Sequence, residues 1–502
     1  MKDVVSSITR NFTVMSGSQV VTWISSFVLM LFLPRYLGDE GSGRFYLAMS
    51  FSGLINVMMD LGFGSLFVKE IARDPEKAAH YFINGAILRI MAWGLVVPFL
   101  ALYVFNSDYP QETVDVILIL AIGEVLVGIS SLTQVVFQGL ERMVYRSYMA
   151  IVQRVALSLF GVIILVMGYG VETMAMVAVG SYALSLMVGL SIMPRLVKFK
   201  IDIRPRWWWS LLKQGFPFLL LSAFALIYYR IDVIMLSHMT NERVVGWYTV
   251  PYRLFDSLMF FPSLLHITIF PVFSRLWQGG GRDELAVTVR RVVDIIVIVG
   301  ILIAAVTLAL SKPIISFLFG LENFNNSVII LQILAITIPL VYVNFITGTV
   351  ASAVDKQKKV SVIAAIAVFI NVGLNWWLIP YFQQTMGNGG VGAGIATIIT
   401  EIYIMVLFFS LVPKGILDWT IVTIAIRSSV AGVLTAGFVW WMDDQGLPFY
   451  LSGIAGTLAY VAMLIVTRVV TRQDISFITD LARLRTPDVS DTEPEPEQTR
   501  AL

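Results

Sequence analysis

The run VMSGSQVVTWISSFVLMLFLP, residues 14–34, holds no charged side chain and ends at Pro34-Arg35. As a helix rising about 1.5 Å per residue it covers about 30 Å, the thickness of bilayer hydrocarbon. It is too long for the apolar core of a signal peptide. The polar stretch Met1 to Arg10 precedes it and no small-residue cleavage site follows, so a retained membrane span is expected. Working outward, about fourteen apolar blocks of roughly 20 residues recur. They lie near 14–34, 45–67, 82–105, 113–137, 148–168, 172–194, 216–237, 245–272, 291–310, 328–351, 360–380, 391–411, 419–441 and 449–470. The 245–272 block is long enough to tilt, or to kink at Pro251 or Pro262.

Composition agrees. Of 502 residues 57% are hydrophobic and only 14% charged, with a mean hydropathy of +0.81, whereas soluble domains carry about 25% charged residues. The expected fold class is an all-α polytopic membrane protein with about 14 transmembrane helices. A net charge of +2 provides no basic field for nucleic acid, and the absence of cysteine removes disulfides, thiolate metal sites and cysteine nucleophiles. His80, His238 and His266 are scattered without metal-ligand spacing, so no metal or cofactor is expected. No G-x-x-x-x-G-K-[ST] segment occurs, which excludes nucleotide hydrolysis by that route.

Basic residues fix the expected orientation. Alternate loops and both termini carry about 26 Lys and Arg, among them Lys69, Arg142, Arg204, Arg206, Arg290 and Lys356. The opposite loops carry about 4: Arg35, Arg44, Arg243 and Lys312. Both termini are therefore expected in the cytoplasm, on a cytoplasmic (inner or plasma) membrane crossed many times. The outer loops are short, the longest being 311–327, so they hold no domain for an enzyme working on that face.

Arg195 to Gln214 is the longest polar stretch between blocks. Its Arg204-Pro205-Arg206-Trp207-Trp208-Trp209 suits a short helix in the headgroup layer. It splits the first twelve spans into 1–197 and 215–414, with 198–214 as an interfacial linker. The extra pair of spans occupies 415–472, and 473–502 is a cytoplasmic tail, disordered from Thr486. A weak repeat supports the division. Pro34 is followed nine positions on by Gly43-Arg44-Phe45-Tyr46, and Ser237 nine positions on by Gly246-Trp247-Tyr248.

Charges inside the blocks are the candidate functional groups, because each costs at least roughly 2.5–3.5 kcal/mol in hydrocarbon and must face protein or water. They are Arg89, Arg154, Arg230, Arg253 and Arg427, with Asp60, Glu124, Asp232, Asp256 and Glu401. Depth matches Asp60 to Arg89, and Arg230 and Asp232 to Arg253 and Asp256. These groups are either buried ion pairs that settle packing or the lining of a wet cavity that holds an anion. Guanidinium suits phosphate because its planar fork binds two oxygens and stays ionised. Arg154 and Arg427 have no partner at their depth, and either can reach the cytoplasmic headgroups instead. Glu124 and Glu401 lie mid-span, as ion-coupling groups or as neutral carboxyls bonded to a neighbouring helix. The glycines of Asp60-Leu61-Gly62-Phe63-Gly64 read as close helix packing rather than a phosphate loop.

Pro34-Arg35-Tyr36-Leu37-Gly38 with Gly43-Arg44-Phe45-Tyr46 resembles the first hairpin of prokaryotic polysaccharide and O-antigen flippases. These are the Wzx-like branch of the multidrug/oligosaccharidyl-lipid/polysaccharide exporter superfamily. Asp60-Leu61-Gly62, Lys69-Glu70-Ile71-Ala72-Arg73, Phe137-Gln138-Gly139-Leu140-Glu141-Arg142, Lys213-Gln214-Gly215-Phe216-Pro217 and Gly392-Ala393-Gly394-Ile395-Ala396-Thr397 continue it in family order. The resemblance implies two pseudo-symmetric six-helix lobes around a central cavity, with two extra C-terminal helices. It also implies alternating-access flipping of a polyprenyl-pyrophosphate-linked oligosaccharide to the outer leaflet, with no enzymatic activity. Implied partners are that lipid-linked oligosaccharide, membrane lipids, H+ or Na+, and a glycan polymerase or glycosyltransferases of the same pathway. The alternatives are a cation-coupled multidrug antiporter of the same superfamily, or a membrane-embedded glycosyltransferase or ligase.

Overall fold

The structure is a computed structural model that describes residues 2–198, 202–467 and 469. The expected tail, 473–502, lies outside them, as do Lys200 and Arg468. Among the described residues no strand forms beyond an isolated bridge between Lys414 and Leu417. Sixteen α-helices follow one another: α1 Lys2–Asp60, α2 Phe63–Arg73, α3 Ala78–Phe105, α4 Gln111–Gly139, α5 Met143–Val166, α6 Val171–Ile192, α7 Pro205–Met239, α8 Glu242–Leu258, α9 Phe260–Gln278, α10 Arg282–Ala309, α11 Ser311–Phe319, α12 Leu321–Ala353, α13 Gln357–Met386, α14 Gly389–Leu411, α15 Thr420–Asp444 and α16 Phe449–Val466.

Among the described residues twelve helical stretches are long and apolar enough to cross a membrane, and the two parts of α7, bent by 48° between Phe224 and Leu226, make a thirteenth. One of the twelve is α1, whose apolar part runs 44 residues from Gly17 to Asp60. That is about 66 Å, roughly twice the hydrocarbon thickness. The helix reverses at Gly38, where φ 69 and ψ −169 leave helical space, a conformation that only glycine enters cheaply. With α1 taken as two crossings, the protein is an all-α polytopic membrane protein of about fourteen crossings.

Loops expected on one side of the membrane do gather at one end of the bundle. Near the Gly38 reversal, Arg35 donates to the Phe317 carbonyl at 2.5 Å and Trp247 Nε1 donates to Asp39 and to the Asn323 carbonyl, both at 2.9 Å. Arg44 pairs with Glu40 at 2.6 Å and with Glu112. At the other end, Gly62 meets Gly215, and Arg290 meets Asp418 at 2.7 Å.

The expected repeat takes physical form at the first end. A Cβ on Gly43 would lie 1.8 Å from the Glu242 carbonyl oxygen, and one on Gly246 would lie 2.0 Å from the Asp39 carbonyl oxygen. These are one contact seen from either side, since Gly43 and Gly246 are 203 positions apart, as are Asp39 and Glu242. Glu40 and Arg243, another pair at that offset, form a salt bridge of 3.4 Å. The second half of α1 and α8 thus cross backbone to backbone about a local two-fold.

Several boundaries differ from expectation. The second span ends at Asp60, not at 67, because Leu61 (φ 53) and Gly62 (φ 74) are left-handed and Gly62 abuts the Gly215 carbonyl. Gly62 is therefore a corner whose backbone packs directly on α7, the close packing expected of this motif. Residues 205–214 are no separate interfacial helix but the first turns of α7, continuous with its span. The expected outer loop 311–327 holds α11, which Gly320 (φ 88) ends, and the start of α12. The long 245–272 block breaks at Met259 into α8 and α9, which places Pro262 in the first turn of α9. There its missing N–H costs little. The Leu258 carbonyl that Pro262 cannot serve accepts from the Tyr342 hydroxyl at 2.6 Å.

The Gly43 contact is testable by size. Gly43→Val forces α1 from α8 and should lower stability by about 1–3 kcal/mol, whereas Gly94→Ala, with nothing within 4 Å of the added Cβ, should leave it unchanged. Thermal unfolding of the detergent-purified protein measures both, and an unchanged Gly43→Val midpoint would refute the close crossing.

Candidate functional site

Below the Gly43–Gly246 crossing, α7 and α8 each carry a tyrosine-arginine pair followed by aspartate: Tyr229-Arg230-Ile231-Asp232 and Tyr252-Arg253-Leu254-Phe255-Asp256. Arg253 and Asp256 are three apart and share a helix face. Arg230 and Asp232 are two apart, about 200° around the helix, yet both border the small cavity between α1, α7 and α8. There Asp232 is buried, 5% exposed, and accepts from the Tyr248 hydroxyl and, at 2.8 Å, from the Val233 N–H.

The guanidinium carbon of Arg253 stands 4.8 Å from the centre of the Tyr46 ring on α1, within cation–π range. Tyr46 and Ser50 of α1, Tyr229, Arg230 and Asp232 of α7, and Thr249 and Arg253 of α8 border a cavity of about 10 Å³. That is room for about one water. Arg154 of α5 adds its charge from the side, acting through space on Arg253 and on buried Tyr182. Among the described residues, no carboxylate oxygen lies within 4.0 Å of Arg154, Arg230 or Arg253. Asp256 is the carboxylate whose field both Arg230 and Arg253 feel. Cations therefore outnumber acids here, and the surplus is directed at a tyrosine-rich wall.

The remaining candidates lie elsewhere. Arg89 is 1% exposed, pairs with Asp60 and donates to the Gly128 carbonyl at 2.5 Å and Ser131 Oγ at 2.6 Å. It closes α3 onto α4 and does not border the cavity, so the structure gives it packing contacts only. Asp60, at the end of its helix, also accepts from the Gly64 N–H at 3.4 Å. Glu124 accepts from Asn56 at 3.2 Å. Glu401 of α14 accepts from the Tyr228 hydroxyl at 2.6 Å and from Asn344 Nδ2 at 2.7 Å, which joins α7, α12 and α14. Arg427 is exposed on α15, which packs on α10 and α16 away from the cavity. No group of three or more His, Cys, Asp or Glu capable of holding a metal occurs among the described residues.

The tyrosines are what residue-by-residue counting of charges misses. Tyr46, Tyr182, Tyr229 and Tyr252 surround the arginines, and the signal for two of them is the repeated Tyr-Arg dipeptide in α7 and α8.

Comparison with known proteins places this geometry. A family model described as polysaccharide biosynthesis protein matches residues 8–277, and a second, described as MatE, matches 217–377. A capsular polysaccharide biosynthesis protein of Staphylococcus aureus is 19% identical over 422 residues, covering 80% of this chain and 98% of that one. An uncharacterized membrane protein of Methanocaldococcus jannaschii is 22% identical over 386 residues, 71% of this chain and 74% of that one. Among solved structures, the lipid II flippase MurJ in an inward closed conformation aligns with a TM-score of 0.72 at 15% identity, over 90% of this chain and 98% of its own. An inward-facing multidrug resistance MATE family transporter aligns at 0.62 and 15% identity, over 81% and 96%. A transporter of the same superfamily from Pyrococcus furiosus, described by a binding pocket of reverse polarity, aligns at 0.54 and 14% identity, over 86% and 95%.

The Asp60–Arg89 pair has its own test. Removing the carboxylate strands a buried guanidinium, so Asp60→Asn should cost about 3 kcal/mol. Adding Arg89→Met should restore most of that loss. Unfolding midpoints of the two variants check this, and an Asp60→Asn protein as stable as wild type would remove the pair as a lock.

Proposed function

The chain belongs to the polysaccharide biosynthesis protein family, and from that membership we propose that it is a flippase for a polyprenyl-pyrophosphate-linked oligosaccharide, carrying it from the cytoplasmic to the outer leaflet. The carrying observation is the arginine cluster. Arg230 and Arg253 border one small cavity with Asp232 on its wall, and Arg154 adds its charge from the side. Among the described residues none of the three arginines has a carboxylate oxygen within 4.0 Å, an arrangement suited to a doubly charged diphosphate. Tyr46 and its tyrosine neighbours supply flat faces and hydroxyls against which the first sugar can lie.

In this reading residues 1–197 and 215–414 are two lobes that rock about the Gly43–Gly246 crossing. The conformation described here is shut at that end, with room for about one water beside the arginines. Separation at the opposite end admits the headgroup while the polyprenyl chain stays in the bilayer. Reversal of the tilt then releases the headgroup outward. Both termini face the cytoplasm, as the basic loops require. Arg89 with Asp60 positions helices, and Arg427 takes no part. Glu124 and Glu401, each held by neutral donors and no cation, are the groups that would take up a proton or Na+ to couple the cycle. The glycan polymerase or glycosyltransferases of the pathway supply and consume the substrate.

A cation-coupled multidrug antiporter is the second reading, favoured by the MatE match over 217–377. A cationic drug would need an acidic cavity, and this one carries the opposite sign. The reverse-polarity pocket ascribed to the Pyrococcus furiosus transporter is a precedent within the superfamily for departing from drug export.

Vesicles containing only this protein and a fluorescent lipid-linked oligosaccharide decide between the readings. Each guanidinium–phosphate bond is worth about 1.5–3 kcal/mol, so Arg230→Ala and Arg253→Ala should each slow flipping by about ten- to a hundred-fold. Arg427→Ala should leave it within about two-fold. Wild-type export of a cationic dye without flipping would give the antiporter reading instead.

A further inference from the structure

A second cavity, of about 850 Å³, opens at the opposite end of the bundle, where the turn before α3 meets the linker and the first turn of α7. Asn84, 0% exposed, joins the segments that line it. Its Nδ2 donates to the carbonyls of His80 and Asp202, both at 2.9 Å. Its Oδ1 accepts from the Arg204 N–H at 3.1 Å and from Trp208 Nε1 at 2.8 Å. The Trp207 ring packs on His80 at 4.4 Å and on Tyr81 at 5.0 Å, centre to centre. These contacts tie the linker to α3, so the cavity has a fixed shape.

Its lining carries four cations, Lys77, Lys198, Arg204 and Arg206, against two carboxylates, Glu76 and Asp202. Lys77 is paired with Asp74 at 2.7 Å, and Arg204 with Asp202 at 2.7 Å. Lys198 and Arg206 line the same cavity, and among the described residues neither has a carboxylate oxygen within 4.0 Å. Beside these cations Ile203 is 50% exposed and Trp209 76% exposed. Ile203 stands between the lining residues Asp202 and Arg204, and Trp209 about one turn of α7 beyond Arg206. A soluble phosphate has no use for such bare apolar neighbours, whereas a lipid needs both cations for its phosphate and apolar side chains for its acyl chains.

We propose that this cavity binds the phosphate headgroup of an anionic glycerophospholipid, with Lys198 and Arg206 against the phosphodiester and Ile203 and Trp209 among the first acyl carbons. The volume suits such a headgroup, ligand cavities running about 300–1,000 Å³. The lipid would pin the linker between the first six crossings and the next to the membrane surface. The site stands apart from the arginine cluster and does not depend on what that cluster carries.

The test is native mass spectrometry of the full chain released from detergent with phosphatidylglycerol or phosphatidylcholine at equal concentration. Phosphatidylglycerol should be retained in preference. One basic residue near an anionic lipid is worth a factor of about five, so Lys198→Gln and Arg206→Gln should each lower its retention about five-fold and the double variant about thirty-fold. Trp209→Ser should lower retention without changing the headgroup preference. Millimolar glycerol 1-phosphate should not displace the lipid. Equal retention by the double variant and wild type, equal retention of the two lipids, or displacement by glycerol 1-phosphate would each overturn the proposal. An unchanged unfolding midpoint shows that the variants fold.

Discussion

A charge withdrawn from water must find a partner or keep a path back to water, and a bilayer enforces this more strictly than a soluble core does. That requirement sorts the ten charges inside the apolar blocks. Arg89 is paired and twice more hydrogen-bonded, Asp232 is held by Tyr248, Glu401 by Tyr228 and Asn344, and Glu124 by Asn56. Those side chains tie helices together. Arg154, Arg230 and Arg253 are not satisfied in this way among the described residues, and they converge on one another, where their mutual repulsion adds to the cost. Asp232 and Asp256 act on the cluster only through space, without a salt bridge, so three cations share the field of two carboxylates, and that surplus is the basis of the anion-binding proposal.

Satisfied pairs also explain why the flanking structure is stiff. Arg89 reaches the Gly128 carbonyl across α4, so α3 and α4 cannot slide without stranding a guanidinium. Glu401 does the same for α7, α12 and α14. Between the two halves the contacts are of another kind, glycine on backbone at Gly43 and Gly246 with the half-exposed Glu40–Arg243 pair beside them.

Much of this was legible in the sequence, and the rest was not for physical reasons. Block length gave the crossings because hydrocarbon thickness sets it. Depth matching gave the Asp60–Arg89 pair because helical rise converts residue number into height. Depth carries no azimuth, however. It set Asp232 level with Arg253, and both border the cavity, but it did not foresee the Tyr248 hydroxyl that holds Asp232. It also offered Arg89 to a cavity that it does not border. Corners such as Leu61-Gly62 fall inside apolar runs, so hydropathy passes over them and only φ reveals them. The Gly43–Gly246 repeat looked like coincidence in one dimension, because the feature that makes it significant is the meeting of the two copies.

That meeting links the closed end to the site. The second half of α1 carries both Gly43 and Tyr46, and α8 carries both Gly246 and Arg253. Tyr46 is about one turn below Gly43, and Arg253 about two turns below Gly246. The two helices that seal the end through carbonyl contacts are thus the two that hold the ring and guanidinium together. A rigid movement of α8 against α1 would part both contacts together, whereas Pro251, between Gly246 and Arg253, and the rotamers of the Arg253 side chain leave each contact some independence. Opening of that end and access to the arginine cluster are thus carried by the same pair of helices.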